Sequence, residues 1–158
     1  MAIERILLPI DFSDDSINAL AYARDFAAAF NAELLLLHVI EPIYYATPAD
    51  MYVTSPNISM LLDEQRAIAE QQLDRLSAEL TEQGRKHRTI LKTGTPAQVI
   101  VEAADAAHAD LIIMSTHGRS GLAHILLGSV AEKIVRHATC PVLTIRRVAT
   151  DAKAEKKA

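Results

Sequence analysis

Two stretches of the chain carry residue types and spacings that could do chemistry. The richer one is STHGRSGLAHILLGSV, residues 115–130, which holds three of the five glycines: Gly118, Gly121 and Gly128. Gly128-Ser129-Val130 opens an amphipathic run. A helix starting there would present outward-pointing N–H groups at the positive end of its dipole, which suits a phosphate. Gly128 would let the phosphate approach the backbone closely, and Ser129 would add a hydroxyl donor. The plainer alternative is an ordinary glycine-serine helix start. The second stretch is Pro9-Ile10-Asp11, an acid directly after an aliphatic run. A carboxylate so placed can accept from ribose hydroxyls or approach a metal, or simply cap the next helix. Neither stretch is a Walker loop, and no dinucleotide fingerprint follows the first aliphatic run, which argues against a kinase, a P-loop GTPase or a nicotinamide dehydrogenase.

Other reactive residues carry weaker signals. The six histidines (His38, His87, His108, His117, His124, His137) show no metal-ligand spacing with acids or the cysteine. His117 and His124 flank the glycine loop, where His117 could meet a phosphate or pack in the loop. Arg119 could reach a terminal phosphate as a charged donor, or be a solvated arginine. Cys140, before Pro141, reads as a small buried residue rather than a nucleophile. Tyr44, Tyr45, Met51 and Tyr52 lie in a proline-bearing loop, where they could cover a ligand or a partner surface.

The elements that must position these groups follow from hydrophobic pattern. Residues 3–10 form a short buried strand. Ser13 or Asp14 caps a helix that runs to about Phe30, with Asn31 as its C-cap. ELLLLHVI, residues 33–40, is a strand buried on both faces. Residues 41–57, with Pro42, Pro48 and Pro56, read as a long loop of the kind that is often functional. A helix spans 59–83 and stops at Gly84. Residues 88–92 form a short strand. Thr95 and Pro96 are the N-cap and first residue of a third helix. Residues 111–114, 128–137 and 142–146 are a strand, a helix and a strand.

The strict alternation predicts an α/β fold, a three-layer sandwich with a parallel sheet between helices. In such sheets ligands bind beyond the carboxyl ends of the strands, where strand order reverses. Both chemical stretches lie just after strands. Residues 1–148 read as one domain, and the tail 149–158 has no core residues and reads as disordered.

Composition narrows the function. The chain has 158 residues, half of them apolar, and a formal net charge of −4. This disfavours nucleic acid or an anionic membrane surface as partner. Aromatics are only 4%, which disfavours base-stacking platforms. No apolar run approaches the roughly 18 residues of a membrane span, so no membrane insertion is expected. The single cysteine and the lack of a signal-peptide pattern point to a reducing, cytoplasmic location.

The chain resembles the universal stress protein family over about residues 2–147. The carriers are ILLPIDFSDDSINAL, LLLLHV, GTPAQVIVEAA, ADLIIMSTHGRSGL and LLGSVAEKIVRHATCPVLTI. The nucleotide-binding branch of that family resembles G-x2-G-x9-G-[ST]; here the match is Ser115-x2-Gly118-x9-Gly128-Ser129. The resemblance implies a five-stranded parallel sheet of order 3-2-1-4-5 with four helices. It implies ATP or AMP as ligand, with Mg²⁺ or Mn²⁺ accompanying ATP. Backbone groups of Gly118, Gly128, Ser129 and Val130 would meet phosphates. Asp11 and Ser115 would meet the ribose, and Val39 with Pro9 and Ile10 would line the adenine pocket. Thr116, His117 and Arg119, inside the motif, are counted with the site. Ser115 departs from the motif glycine; it costs little on extended backbone and about 1 kcal/mol at positive φ. The resemblance further implies a homodimer paired through the edge strand 142–146. The expected function is that of a nucleotide-binding stress regulator. Slow ATP hydrolysis, or a dimeric interaction module that binds no nucleotide, are the alternatives; no positioned general base is visible.

Overall fold

The computed structural model describes residues 2–42, 56–118 and 127–146; of residues 56–58 only the backbone is described. Nine elements alternate in chain order: β1 (Arg5–Pro9), α1 (Asp14–Phe30), β2 (Glu33–Ile40), α2 (Pro56–Glu82), β3 (His87–Thr93), α3 (Pro96–Ala106), β4 (Leu111–Ser115), α4 (Ser129–His137) and β5 (Val142–Ile145). The strands make one parallel sheet in the order β3-β2-β1-β4-β5. This is the expected α/β fold, with the expected strand order.

The aliphatic strands alternate faces as a pleat must. Ile6, Leu8, Ile10, Leu34, Leu36, Leu111 and Ile113 pack on one side with Ala19, Leu20 and Ala23 of α1 and Leu73, Leu76 and Leu80 of α2. Leu7, Leu35, Leu37, Ile112 and Met114 pack on the other with Ala97, Ile100 and Ala103 of α3 and Ala131 and Ile134 of α4. Nine of these strand residues (Ile6, Leu7, Leu8, Leu34, Leu35, Leu36, Leu37, Ile112 and Ile113) are wholly buried. Burying such a side chain contributes about 1.5–3 kcal/mol, so the sheet centre is where the fold's hydrophobic stabilisation is concentrated.

Several boundaries differ from the sequence expectation. Helix α2 begins at Pro56, three residues early, because proline's fixed φ suits the first helical position. Strand β1 is shorter than 3–10, and β3 is longer than 88–92. Strand β3 lies at the sheet edge and carries His87, Arg88 and Lys92, so its polar positions hide the strand pattern. Strand β5 ends at Ile145 rather than Arg146, and α4 proper starts at Ser129 with Gly128 as its N-cap. Thr95 stands at the N-cap of α3 as expected, but its side chain makes no capping bond. The caps of α1 are the expected ones: Ser13 accepts from the Ser16 amide, and Asn31 adopts φ 53°. Residues 43–55 of the proline-bearing loop, with Tyr44, Tyr45, Met51 and Tyr52, and the tail 149–158 lie outside the described residues.

Candidate functional site

Strands β1 and β4 are neighbours at the centre of the sheet, and the chain leaves them for opposite faces. Helix α1 covers one core cluster and α4 the other. Their carboxyl ends therefore flank a crevice at the point where strand order reverses. The residues named from the sequence can be located around it.

After Pro9 the chain turns sharply. Phe12 takes φ 63°, a left-handed conformation that costs a bulky residue about 1–3 kcal/mol. The turn carries Asp11. Its Oδ1 accepts from the Ser13 amide at 3.0 Å and from the Ser13 hydroxyl. Ser13, not Asp11, is the cap of α1, and Asp11 holds that cap from behind. Across the crevice, a Cβ built on Gly118 would lie 2.6 Å from Asp11 Oδ2. Asp11 and Gly118 thus lie against each other, although 107 positions separate them; a side chain at 118 would push the Asp11 carboxylate aside, and the φ there does not itself call for glycine.

Residues 115–117 are tied down by bonds within the fold. Ser115 ends β4, is buried, and donates its hydroxyl to the His117 carbonyl at 2.6 Å. Its φ is not positive, so serine is accommodated at this motif position without backbone strain. Thr116 is buried; its amide donates to the Ile145 carbonyl at 3.0 Å, and its carbonyl accepts from the Gly128 amide at 2.8 Å. Its hydroxyl lies 2.9 Å from His117 Nδ1. Thr116 is therefore a joint between β4, β5 and α4. The Gly128 amide is committed to Thr116, so the α4 donors aimed outward are those of Ser129, Val130 and Ala131, which have no carbonyl four residues back in the helix. A Cβ on Gly128 would sit 3.1 Å from the Thr116 carbonyl oxygen, so glycine there permits the close approach of helix to strand end.

Two helix starts face the crevice, and electrostatics separates them. Helix α1 carries Asp14 and Asp15 in its first turn, beside Asp11. Helix α4 carries only Glu132, whose carboxylate is paired with Arg136 at 2.8 Å. Electrostatics therefore disfavours an anion at the first start relative to the second.

The remaining expected residues fall as follows. Pro9 ends β1 opposite Leu37, half-buried. Ile10 is buried in the α1-side core, so only its backbone can face the crevice. Val39 is half-buried near the carboxyl end of β2, two strands from Gly128. Arg119 and His124 lie outside the described residues. Cys140 is half-buried, and burial pushes its thiol pKa up, which opposes a nucleophilic role.

Two residues at this end have roles that the sequence alone does not show. Ser13 holds Asp11, a role legible only as the short Asp-x-Ser spacing. His38 is buried, its Nδ1 2.7 Å from the Ile10 carbonyl and its ring 4.6 Å from that of Phe12. Its signal was a histidine inside an otherwise aliphatic buried strand.

A depression of about 880 Å³ opens at the opposite, amino end of the strands, lined by Glu4, Arg5, Asn31, Glu33, Lys86 and His87 among others. It mixes charges of both signs and includes no helix start, so it lacks the focused donors of the crevice. Among the described residues no helix is long and apolar enough to cross a membrane, and no group of three or more metal-ligating side chains occurs.

The sequence pattern of the universal stress protein family matches residues 2–146. Universal stress protein MJ0531 of Methanocaldococcus jannaschii is 37% identical over 145 residues, covering 91% of this chain and 82% of that protein. The structure of universal stress protein UspA from Lactobacillus plantarum superposes with a TM-score of 0.82 at 28% identity, covering 92% of this chain and 99% of that one. A universal stress protein in complex with cAMP superposes with a TM-score of 0.60 at 27% identity, covering 92% of this chain and 98% of that one.

Proposed function

The chain belongs to the universal stress protein family, and from that premise we propose that it is a regulatory protein that binds an adenine nucleotide in the crevice between β1 and β4. The observation that carries this reading is the contact of Asp11 with Gly118 beside the start of α4. One side of the crevice offers a carboxylate, the acceptor a ribose needs. The other offers the amides of Ser129, Val130 and Ala131, the donors a phosphate needs. A related protein in complex with cAMP supports the same ligand class. AMP, ATP and cAMP share adenine, ribose and a 5′-phosphate, and the crevice has matching groups for the last two.

In this reading Val39 and the backbone of Pro9 and Ile10 face the base. Thr116 and Ser115 position the crevice walls rather than contact the ligand through their side chains, because their hydroxyls and backbone already bond within the fold. Mg²⁺ or Mn²⁺ accompanying ATP would be held chiefly by the phosphates and water, since Asp11 already accepts from Ser13 and, among the described residues, no group of three or more metal-ligating side chains occurs. Nucleotide occupancy would bias a partner interaction in the cytoplasm during stress.

The sheet edge supplies an assembly surface. Along β5, the carbonyls of Pro141 and Ile145 face β4. By strand alternation, Val142 and Thr144 point their backbone groups away from it. We infer that a second copy pairs with this edge to make a homodimer.

The reading is tested by denaturing freshly purified protein and identifying any released small molecule by chromatography and mass spectrometry, together with calorimetric titration of AMP and ATP. Released adenine nucleotide near one per chain, or saturable heat, is the expected result. Neither would mean an interaction module that binds no nucleotide.

A further inference from the structure

The ladder between β1 and β2 ends in an unusual way. Ile10 donates its amide to the Leu37 carbonyl at 2.8 Å, as the parallel pattern requires. The next rung would be the Val39 amide donating to the Ile10 carbonyl. It is not among the backbone bonds of the described residues. The Ile10 carbonyl instead lies 2.7 Å from Nδ1 of His38, on the same strand as Val39. A carbonyl only accepts, so the proton sits on Nδ1 and the imidazole is the donor. The ring is buried, 6% exposed, and tilted against Phe12 with centroids 4.6 Å apart. Phe12 is the residue at positive φ that follows Asp11.

Strand alternation gives the consequence. The Glu33 amide bonds to Glu4 of β1, whereas the Leu34 amide bonds to Lys86 and the Ile40 carbonyl accepts from Gly94. Odd residues of β2 thus turn their backbone toward β1 and even ones toward β3. Val39 faces β1 just where β1 has ended at Pro9 and the Ile10 carbonyl has been taken by a side chain.

We propose that His38 is a positioning residue of the nucleotide site. By occupying the Ile10 carbonyl it holds β1 and β2 splayed beyond Pro9. This leaves the Val39 amide and carbonyl open toward the crevice, where a planar heterocycle carrying adjacent donor and acceptor atoms fits edge-on. By packing against Phe12 it also steadies the turn that carries Asp11. This rests on the crevice being a nucleotide site, but the device itself can be tested without ligand.

The experiment compares the full-length protein with His38→Phe and His38→Asn. Phenylalanine keeps the ring and loses the donor; asparagine places an amide nitrogen near the position of Nδ1. Amide hydrogen exchange of Val39, measured by NMR without nucleotide, should slow at least about tenfold in His38→Phe, as Val39 closes onto the abandoned carbonyl. It should stay near wild type in His38→Asn. AMP affinity should fall at least about tenfold in His38→Phe and recover in His38→Asn. If His38→Phe does not fold, His38→Gln, whose amide lies one carbon too far out, takes its place. Equal Val39 exchange in all variants would overturn the device whatever the protein binds. Altered exchange with equal AMP affinity would overturn its role in binding. Wild type that binds no AMP would instead overturn the nucleotide reading, leaving the exchange data to decide the splay.

Discussion

Gly118→Ala should damage the site through Asp11 and through nothing else. The methyl group would arrive 2.6 Å from Asp11 Oδ2, against an ordinary contact of 3.4–4 Å. The carboxylate must therefore retreat by about 0.8 Å or more. It cannot do so and keep both bonds from Ser13, of which the amide bond is already 3.0 Å long. Losing one charge-assisted bond at a half-exposed group, or turning Asp11 off its rotamer, costs about 1–2 kcal/mol. For a chain of this size that lowers Tm by about 2–8 °C. A carboxylate turned from the ribose should weaken AMP and ATP alike by about 10–100-fold, the equivalent of about 1.4–2.8 kcal/mol. The assay is a double-mutant cycle on calorimetric affinities with Asp11→Ala. Asp11→Ala alone should weaken both nucleotides similarly, and a loss confined to ATP would place Asp11 on a metal instead. In the Asp11→Ala background, Gly118→Ala should add less than about 0.5 kcal/mol, because the atom it collides with is gone. Full additivity of the two losses would refute the reasoning, since it would mean that Gly118 acts on the ligand independently of Asp11.

Three further outcomes are expected. Gly128→Val forces bulk against the Thr116 carbonyl, 3.1 Å from the first added carbon; it should reduce nucleotide affinity more than tenfold in calorimetry while circular dichroism still shows a folded protein. Asp110 accepts from the Glu4 and Arg5 amides at 2.8 and 2.9 Å, and these bonds hold its carboxyl below the usual range. A lowered folded pKa stabilises above the unfolded value near 3.9 and is lost as pH falls through the folded one; Asp110→Ala should thus cost up to about 1 kcal/mol at pH 7 for this solvent-screened group, and nothing once both forms are protonated, as denaturant melts at the two pH values would read. Thr144→Pro removes an amide on the outward side of β5 and spares the ladder to β4, so it should sediment as a folded monomer; a persistent dimer would place the interface elsewhere.

The order of elements is legible because the buried strands are nearly pure aliphatic runs. ELLLLHVI can only be a strand covered on both faces, and the structure gives it the bounds Glu33–Ile40. Position in the sheet is less legible. Strand β3 carries the polar side chains of His87, Arg88 and Lys92 because it lies at the edge, and these hide its full length from the hydrophobic pattern. At the crevice, Asp11 and Gly118 could each be named from residue type and spacing, since acids and glycines after strands are scarce and chemically specific. That they share one crevice follows from the strand order 3-2-1-4-5 that the resemblance implies; their mutual contact is not legible, because it also depends on the register of β1 against β4 and on the turn at Phe12. Thr116 and Gly128 show the same limit from the other side. The sequence suggests groups that touch a ligand, and the structure shows the Gly128 amide and both Thr116 backbone groups bonded within the fold. His38 has no metal-ligand spacing in the sequence; what distinguishes it is a hydrogen bond to a carbonyl 28 residues away.

The central claim is that an adenine nucleotide sits between the carboxyl ends of β1 and β4. Amide chemical-shift mapping of the ¹⁵N-labelled, nucleotide-free protein during an AMP titration tests it most directly. The account predicts saturable shifts gathered on Asp11 to Ser13, Val39, Ser115 to Gly118 and Ser129 to Ala131, with residues at the amino ends of the strands unmoved. Shifts centred instead on Glu4, Arg5, Asn31 and Lys86, around the depression at the other end of the sheet, or no saturable shift at all, would contradict it.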